Sequence, residues 1–145
     1  MKVRDMMTDR VIRVAPEESV EVAARTLAQH NLGALPVCTA DGKLCGMVTD
    51  RDLVIRCMAA NKLPGKTQIR DVMTRQVISV SPDMEAGVAA HLMGSRQVRR
   101  LPVTDNGNLC GMVSLGDLAI REDCIMDAAD ALQDISGQIA PENHW

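Results

Sequence analysis

Phenylalanine and tyrosine do not occur in the 145 residues, and tryptophan occurs once, as Trp145. A chain so poor in rings has no stacking platforms for single-stranded nucleic acid. Its net charge of −3 supplies no broad basic face for phosphate backbones. Nucleic acid is therefore not an expected partner. No stretch approaches the roughly 20 apolar residues that span a bilayer. Lys2, Arg4 and Asp5 interrupt the N-terminus, and no apolar core of a signal peptide follows them. No membrane partner is expected, and the expected location is the cytoplasm.

Metal and redox signatures are thin as well. The five cysteines are Cys38, Cys45, Cys57, Cys110 and Cys124, with no Cys-x-x-Cys pair. His30, His91 and His144 are not spaced beside them as zinc ligands. Mostly buried, reduced thiols are expected, although Cys38 lies where it could face Cys45 across a hairpin and form a switchable disulfide. There is no P-loop, no glycine-rich dinucleotide turn and no Ser-His-Asp order with supporting context. His30 falls at a helix end and His91 within a helix, and neither is placed to serve a cysteine as its base. The chain does not read as an enzyme, and no cofactor is required.

What the chain has is aliphatic. With 46% hydrophobic residues and 24% charged residues, the composition is that of a globular protein. Its core must be built from Val, Ile, Leu, Ala and the ten Met.

Comparison of the chain with itself shows a duplication. VRDMMTDRVIRVAP at 3–16 matches IRDVMTRQVISVSP at 69–82, and LPV at 35–37 returns at 101–103. LCGMVTDRDLVIR at 44–56 returns as LCGMVSLGDLAIR at 109–121. The boundaries that follow are a first repeat over 1–60, a linker over 61–68 and a second repeat over 69–123. A C-terminal amphipathic helix and tail occupy 124–145. The linker carries Pro64-Gly65, a turn signal.

Each repeat reads β-α-β-β-α. In the first, Val11, Ile12 and Val14 form a short strand stopped by Pro16. A helix runs from about Ser19 to His30, and strands at 35–38 and 44–48 flank an Asp41-Gly42 turn. The second helix runs from Asp50 to about Ala60. The second repeat gives a strand at 77–80, a helix at about 84–96, a hairpin around Asn106-Gly107 and a helix at about 115–123. The fold class is α+β, sandwich-like, with two units related by a pseudo-twofold axis and equivalent clefts where they meet. Beyond residue 122, Ile125, Ala128 or Ala129, Leu132 and Ile135 share a helix face that packs either on its own domain or on a second chain. Residues 140–145 read as a frayed tail.

Thr49-x-x-Asp52 and Ser114-x-x-Asp117 stand at helix starts. Both fit a capping box, which alone justifies each pair at about 1 kcal/mol per cap. The same geometry suits a nucleotide. A helix start with a hydroxyl favours phosphate, and a carboxylate one turn in can accept from ribose hydroxyls.

The ordered elements V/I-R-D-x-M-T, LPV and G-M-V-T/S-x-x-D-L, present twice over residues 3–121, resemble the CBS-domain family. The arrangement is similar to a stand-alone CBS pair, a Bateman module. That resemblance implies a regulatory module that senses an adenosine ligand: AMP, ADP, ATP or S-adenosylmethionine. It also implies association into a homodimer and signalling to a further protein. It assigns Asp52 and Asp117 to ribose, Thr49 and Ser114 to the phosphate end, and Val11, Ile12, Val77 and Ile78 to the adenine. Arg99 and Arg100 occupy the place of Gly33 and Ala34 in the first repeat, and the family carries phosphate-reaching basic residues there. Arg51 adds charge where the second repeat has Gly116. On this reading the Thr49/Asp52 cleft faces the Arg pair and binds a phosphorylated adenosine better than the Ser114/Asp117 cleft, which is weaker or prefers a less charged ligand. The alternative is a dimerisation module whose Thr-x-x-Asp motifs serve only as caps.

Overall fold

The computed structural model describes residues 1–121 and 124–137. Among the described residues, four α-helices and four strands follow the repeat, and a fifth α-helix comes after it. In the first, α1 is Val20–His30, β1 Ala34–Cys38, β2 Leu44–Thr49 and α2 Asp50–Leu53. In the second, α3 is Ala86–Arg96, β3 Arg100–Asp105, β4 Asn108–Ser114 and α4 Leu115–Ala119, and α5, Ile125–Gly137, ends the described chain. Mixed helix and sheet confirm the α+β reading. The tail expected over 140–145 lies outside the described residues.

The elements arise where local chemistry permits. Ser19 caps α1 by accepting from the Val22 N–H at 3.2 Å, and Asn31 in the left-handed region closes the helix. β1 and β2 pair antiparallel from Ala34 with Thr49 to Cys38 with Leu44, with an irregularity at Val37/Cys38. The β1–β2 turn uses Gly42 at φ 88°. Asn106 and Gly107, at φ 52° and 83°, turn β3 into β4.

The expected first strands are reduced. Val14 makes a single parallel bridge to Val37, and Val80 a single one to Val103. Each bridging valine still donates to a proline carbonyl, Val14 to Pro36 at 3.1 Å and Val80 to Pro102 at 3.0 Å. The β-branched run therefore adds one lane to its hairpin at one point, and that point is buried. The helix expected over 50–60 is also altered. α2 continues into a wide π turn, Val54–Met58. α4 stops at Ala119, short of the expected 123.

Two compact units cut across the sequence repeats. Unit 1 holds Met1–Val11, Ile78–Asp105 and the chain from Cys110 on; unit 2 holds Ile12–Val77 with Asn106–Leu109. Each repeat thus gives its opening segment to a unit built mainly from the other repeat. In unit 2, Val20 donates to Thr67 O, Ile69 to Glu18 O and Arg70 to Pro16 O, at 2.8, 2.8 and 3.0 Å. In unit 1, Val3 donates to Met84 O, Arg4 to Pro82 O and Ala86 to Met1 O, at 2.9, 2.9 and 2.8 Å.

The core of unit 2 gathers Val14, Val20, Leu27, Leu35, Val37, Val48, Ile69 and Val72. That of unit 1 gathers Val3, Val80, Met93, Leu101, Val103, Val113, Leu118 and Ile135. Full burial of such a side chain contributes about 1.5–3 kcal/mol. α5 packs in cis on α3 and α4. The approach to α3 is close at Gly94, where a Cβ would lie 3.2 Å from the Ala131 Cα. Ile125, Met126 and Leu132 of α5 remain exposed.

Candidate functional site

The two helix starts are built alike. Thr49, extended at the end of β2, accepts from the Asp52 N–H at 3.0 Å, and Asp52 Oδ2 accepts from the Thr49 N–H at 3.0 Å. Ser114 and Asp117 repeat this at 3.1 and 2.8 Å. Both are complete capping boxes despite the short Asp partner. The N–H of the first helical residue is also taken: Asp50 donates to Gly33 O at 3.0 Å and Leu115 to Arg99 O at 2.8 Å.

Their surroundings differ. In unit 2, Asp50 Oδ1 accepts from the Arg51 N–H at 2.8 Å, so the helix start already carries a carboxylate of its own. Asp52 is buried, and its Oδ1 stands 3.8 Å from Arg56 Nη1. Arg51 is exposed. In unit 1 the residue matching Asp50 is Leu115, which brings no carboxylate.

Unit 1 also holds a cavity of about 560 Å³. Arg99, Arg100, Ser114 and Gly116 form its polar end; Leu115, Ala119, Ile125, Ala128, Ala129 and Leu132 form an aliphatic body between α4 and α5. That volume falls within the range of small-molecule sites, which are mainly apolar with a few convergent polar groups.

Of the residues expected at a site, the structure brings Arg99, Arg100 and Ser114 into one wall. Asp117, Val11 and Ile78 belong to the same unit but are not part of that wall. Thr49, Arg51, Asp52, Ile12 and Val77 belong to unit 2. Val11, Val77 and Ile78 are half-buried and Ile12 is exposed. Sequence reasoning missed the α5 side of the cavity, because the repeat does not contain α5. It also missed Arg56, although the paired endings LVIR and LAIR in the two repeats were visible.

Three of the five thiols are held back from ionising. Burial is the main cause that pushes the Cys38, Cys45 and Cys110 thiols above their ordinary pKa. Cys45 and Cys110 occupy matching positions and donate weakly to Val37 O and Val103 O, each at 3.3 Å. A raised pKa means less thiolate near neutrality. Alkylation of Cys38, Cys45 and Cys110 in the native protein at pH 8 is therefore expected to be several-fold slower than in the urea-unfolded chain, with the native rate still climbing above pH 9. Equal rates in a timed iodoacetamide reaction read by mass would contradict this. Among the described residues no group of His, Cys, Asp and Glu could hold a metal ion. No helix among them is long and apolar enough to cross a membrane.

Comparison with known proteins bears on this geometry. The CBS domain family model matches twice, over residues 3–58 and 69–121. The CBS domain-containing protein YhcV of Bacillus subtilis is 42% identical over 136 residues, covering 94% of this chain and 96% of that protein. The crystal structure of the CBS domain pair of protein MJ0100 in complex with 5′-methylthioadenosine and S-adenosyl-L-methionine aligns with a TM-score of 0.72 and 29% identity, over 82% of this chain and 93% of that one. CBSX2 in complex with AMP aligns with a TM-score of 0.71 and 34% identity, over 80% and 91%. Two matched domains in tandem, joined to the repeated helix starts, show that this chain belongs to the CBS-domain family as a CBS pair.

Proposed function

We propose that the protein is a regulatory module that binds an adenosine ligand, with Asp52 and Asp117 as the ribose-accepting carboxylates. The observation that carries this is the pair of capping boxes. In each, one carboxylate oxygen serves the cap and the other remains able to accept a ligand hydroxyl. The adenosine ligands named for the MJ0100 and CBSX2 structures support the ligand class. For the phosphate end, the Ser114 side is the better supported. There the Ser114 hydroxyl shares a wall with Arg99 and Arg100, whereas Asp50 adds negative charge at the Thr49 start. This reverses the order of the two clefts expected from the repeats alone. Guanidinium groups favour phosphate through paired donors. Val11, Ile12, Val77 and Ile78 are the aliphatic residues proposed beside the adenine, and Arg51 adds charge near the Thr49 start.

Ligand binding to the native state raises the melting temperature. AMP in large excess is expected to raise it by several degrees. Joint Arg99→Ala and Arg100→Ala substitution should lower AMP affinity at least about ten-fold, because charge-assisted bonds contribute about 1.5–3 kcal/mol each. S-adenosylmethionine, which carries no phosphate, should lose less. Equal calorimetric losses of AMP binding from Asp52→Ala and Asp117→Ala would overturn the inequality of the clefts. No thermal shift with AMP, ATP or S-adenosylmethionine would overturn the sensor reading. That result would leave the homodimerisation module, which the exposed Ile120, Ile125, Met126 and Leu132 favour as a surface for a second copy.

A further inference from the structure

Arg56 lies in the π turn that follows α2, one helical turn beyond Asp52. Its Nη1 donates to Val72 O and to Met73 O, both at 3.1 Å. The same nitrogen stands 3.8 Å from Asp52 Oδ1. A guanidinium NH2 group carries two hydrogens, and the two carbonyls engage both. Asp52 therefore receives the attraction of the positive charge without a hydrogen bond from it. Its Oδ2 is committed to the Thr49 N–H. Oδ1 is thus held beside a cation while its acceptor capacity remains available to a ligand hydroxyl. A buried carboxylate needs such compensation.

The two carbonyls belong to the segment that repeat two contributes to unit 2. That segment is fixed at Thr74, which exchanges backbone bonds with Met47 of β2 at 2.8 and 3.0 Å. A single guanidinium thus touches the candidate ribose carboxylate and the donated segment together.

The second repeat does not reproduce the contact. Its counterpart, Arg121, lies beyond the end of α4 and reaches Asp5 O at 3.4 Å. Its Nε is buried without a hydrogen-bond partner. Among the described residues it makes no ion pair with Asp117. The π turn accounts for the difference. It continues the helical path past Leu53 far enough to carry Arg56 over both groups, and π turns recur at functional positions.

We propose that Arg56 is a positioning residue that couples Asp52 to segment 72–74, so that a hydroxyl taken up by Asp52 Oδ1 is registered in the backbone of that segment. The nucleotide part of this inference rests on the function proposed above, whereas the coupling itself is testable without ligand. The coupling gives this cleft a readout that the Ser114/Asp117 cleft lacks.

The measurement is amide hydrogen exchange on the full chain, read at Met73 and Thr74. Arg56→Gln should lower protection at these amides by about three- to ten-fold, the scale of one lost hydrogen-bonded contact. Asp52→Asn should alter the same amides when Arg56 is present and leave them unchanged in the R56Q background, since coupled residues depart from additivity. Arg121→Gln should leave them unchanged. AMP in excess should raise their protection in the wild-type chain, and R56Q should remove that rise while weakening AMP binding about three- to ten-fold. Unchanged protection in R56Q, or the same D52N effect in both backgrounds, overturns the coupling. Should R56Q fail to fold, Arg56→Lys carries the same comparison with the charge retained. Failure of AMP to bind the wild-type chain overturns the nucleotide reading instead, and the ligand-free cycle still decides the role of Arg56.

Discussion

Gly111→Ala is expected to destabilise the protein by about 1–3 kcal/mol, the usual range for overfilling a packed position, and Gly46→Ala by a similar amount. Both glycines are buried in the G-M-V strands. A Cβ at Gly111 would stand 2.6 Å from Met7 Sδ and 2.9 Å from Thr8 O. One at Gly46 would stand 2.8 Å from both Met73 Sδ and Thr74 O. The thioether can swing aside, but the carbonyl cannot. Thr8 is bridged to Met112 by bonds of 2.8 and 2.9 Å, and Thr74 to Met47 by bonds of 2.8 and 3.0 Å. Relief of the clash must therefore lengthen those bonds and lift the Met-Thr segment from its strand. Gly116→Ala supplies the control. Its Cβ would meet only Ser114 Oγ, at 3.6 Å, and alanine is the better helix former by about 1 kcal/mol. Urea unfolding should rank G111A and G46A well below wild type and G116A at or above it. Equal midpoints for all three would refute the steric argument.

The second large effect concerns Ile69. Ile69→Ala is expected to cost about 2–5 kcal/mol through a cavity at a side chain with 0% exposure. The loss falls on unit 2, whose α-helices, hairpin and the rest of whose core, apart from Val72 and Met73, come from repeat one. A fragment ending at residue 60 keeps that repeat and loses Ile69, Val72 and Met73 from its core. It also loses the bonds that Thr67, Ile69 and Arg70 make with Val20, Glu18 and Pro16. Such a fragment should show no cooperative thermal transition, whereas one extended through Val77 should regain one. A cooperative transition in the shorter fragment would show that the donated segment is dispensable.

Much of this architecture was legible in the residues. The hairpin turns followed from Asp41-Gly42 and Asn106-Gly107, and the helix starts from Thr49-x-x-Asp52 and Ser114-x-x-Asp117. Those signals are local, so a linear reading finds them. The strand expected at 11–14 shrank to one bridge because β-propensity reports a fit to neighbours, and only Val14 has one. The exchange of opening segments left no local trace. A segment with the same sequence pattern serves either unit equally well, and periodicity does not say which core it completes. The glycines of the two G-M-V strands did carry a signal, since a glycine inside a strand marks close backbone approach. Arg56 could not be read in advance. Its role depends on the π turn, and nothing in Leu53-Val54-Ile55-Arg56 distinguishes a π turn from an α-helical one.

The traded segments bear on how such a chain could arise. A chain with only one repeat would need the opening segment of a second chain to complete its core, so its folding would depend on protein concentration. Joining two repeats by the short stretch 61–68 makes the exchange internal. A short tether holds its ends together at an effective concentration in the millimolar range, far above the level of most proteins in solution. Duplication would thus have turned an assembly reaction into a folding reaction. Within one chain the two helix starts can also differ, as Asp50-Arg51 and Leu115-Gly116 do here.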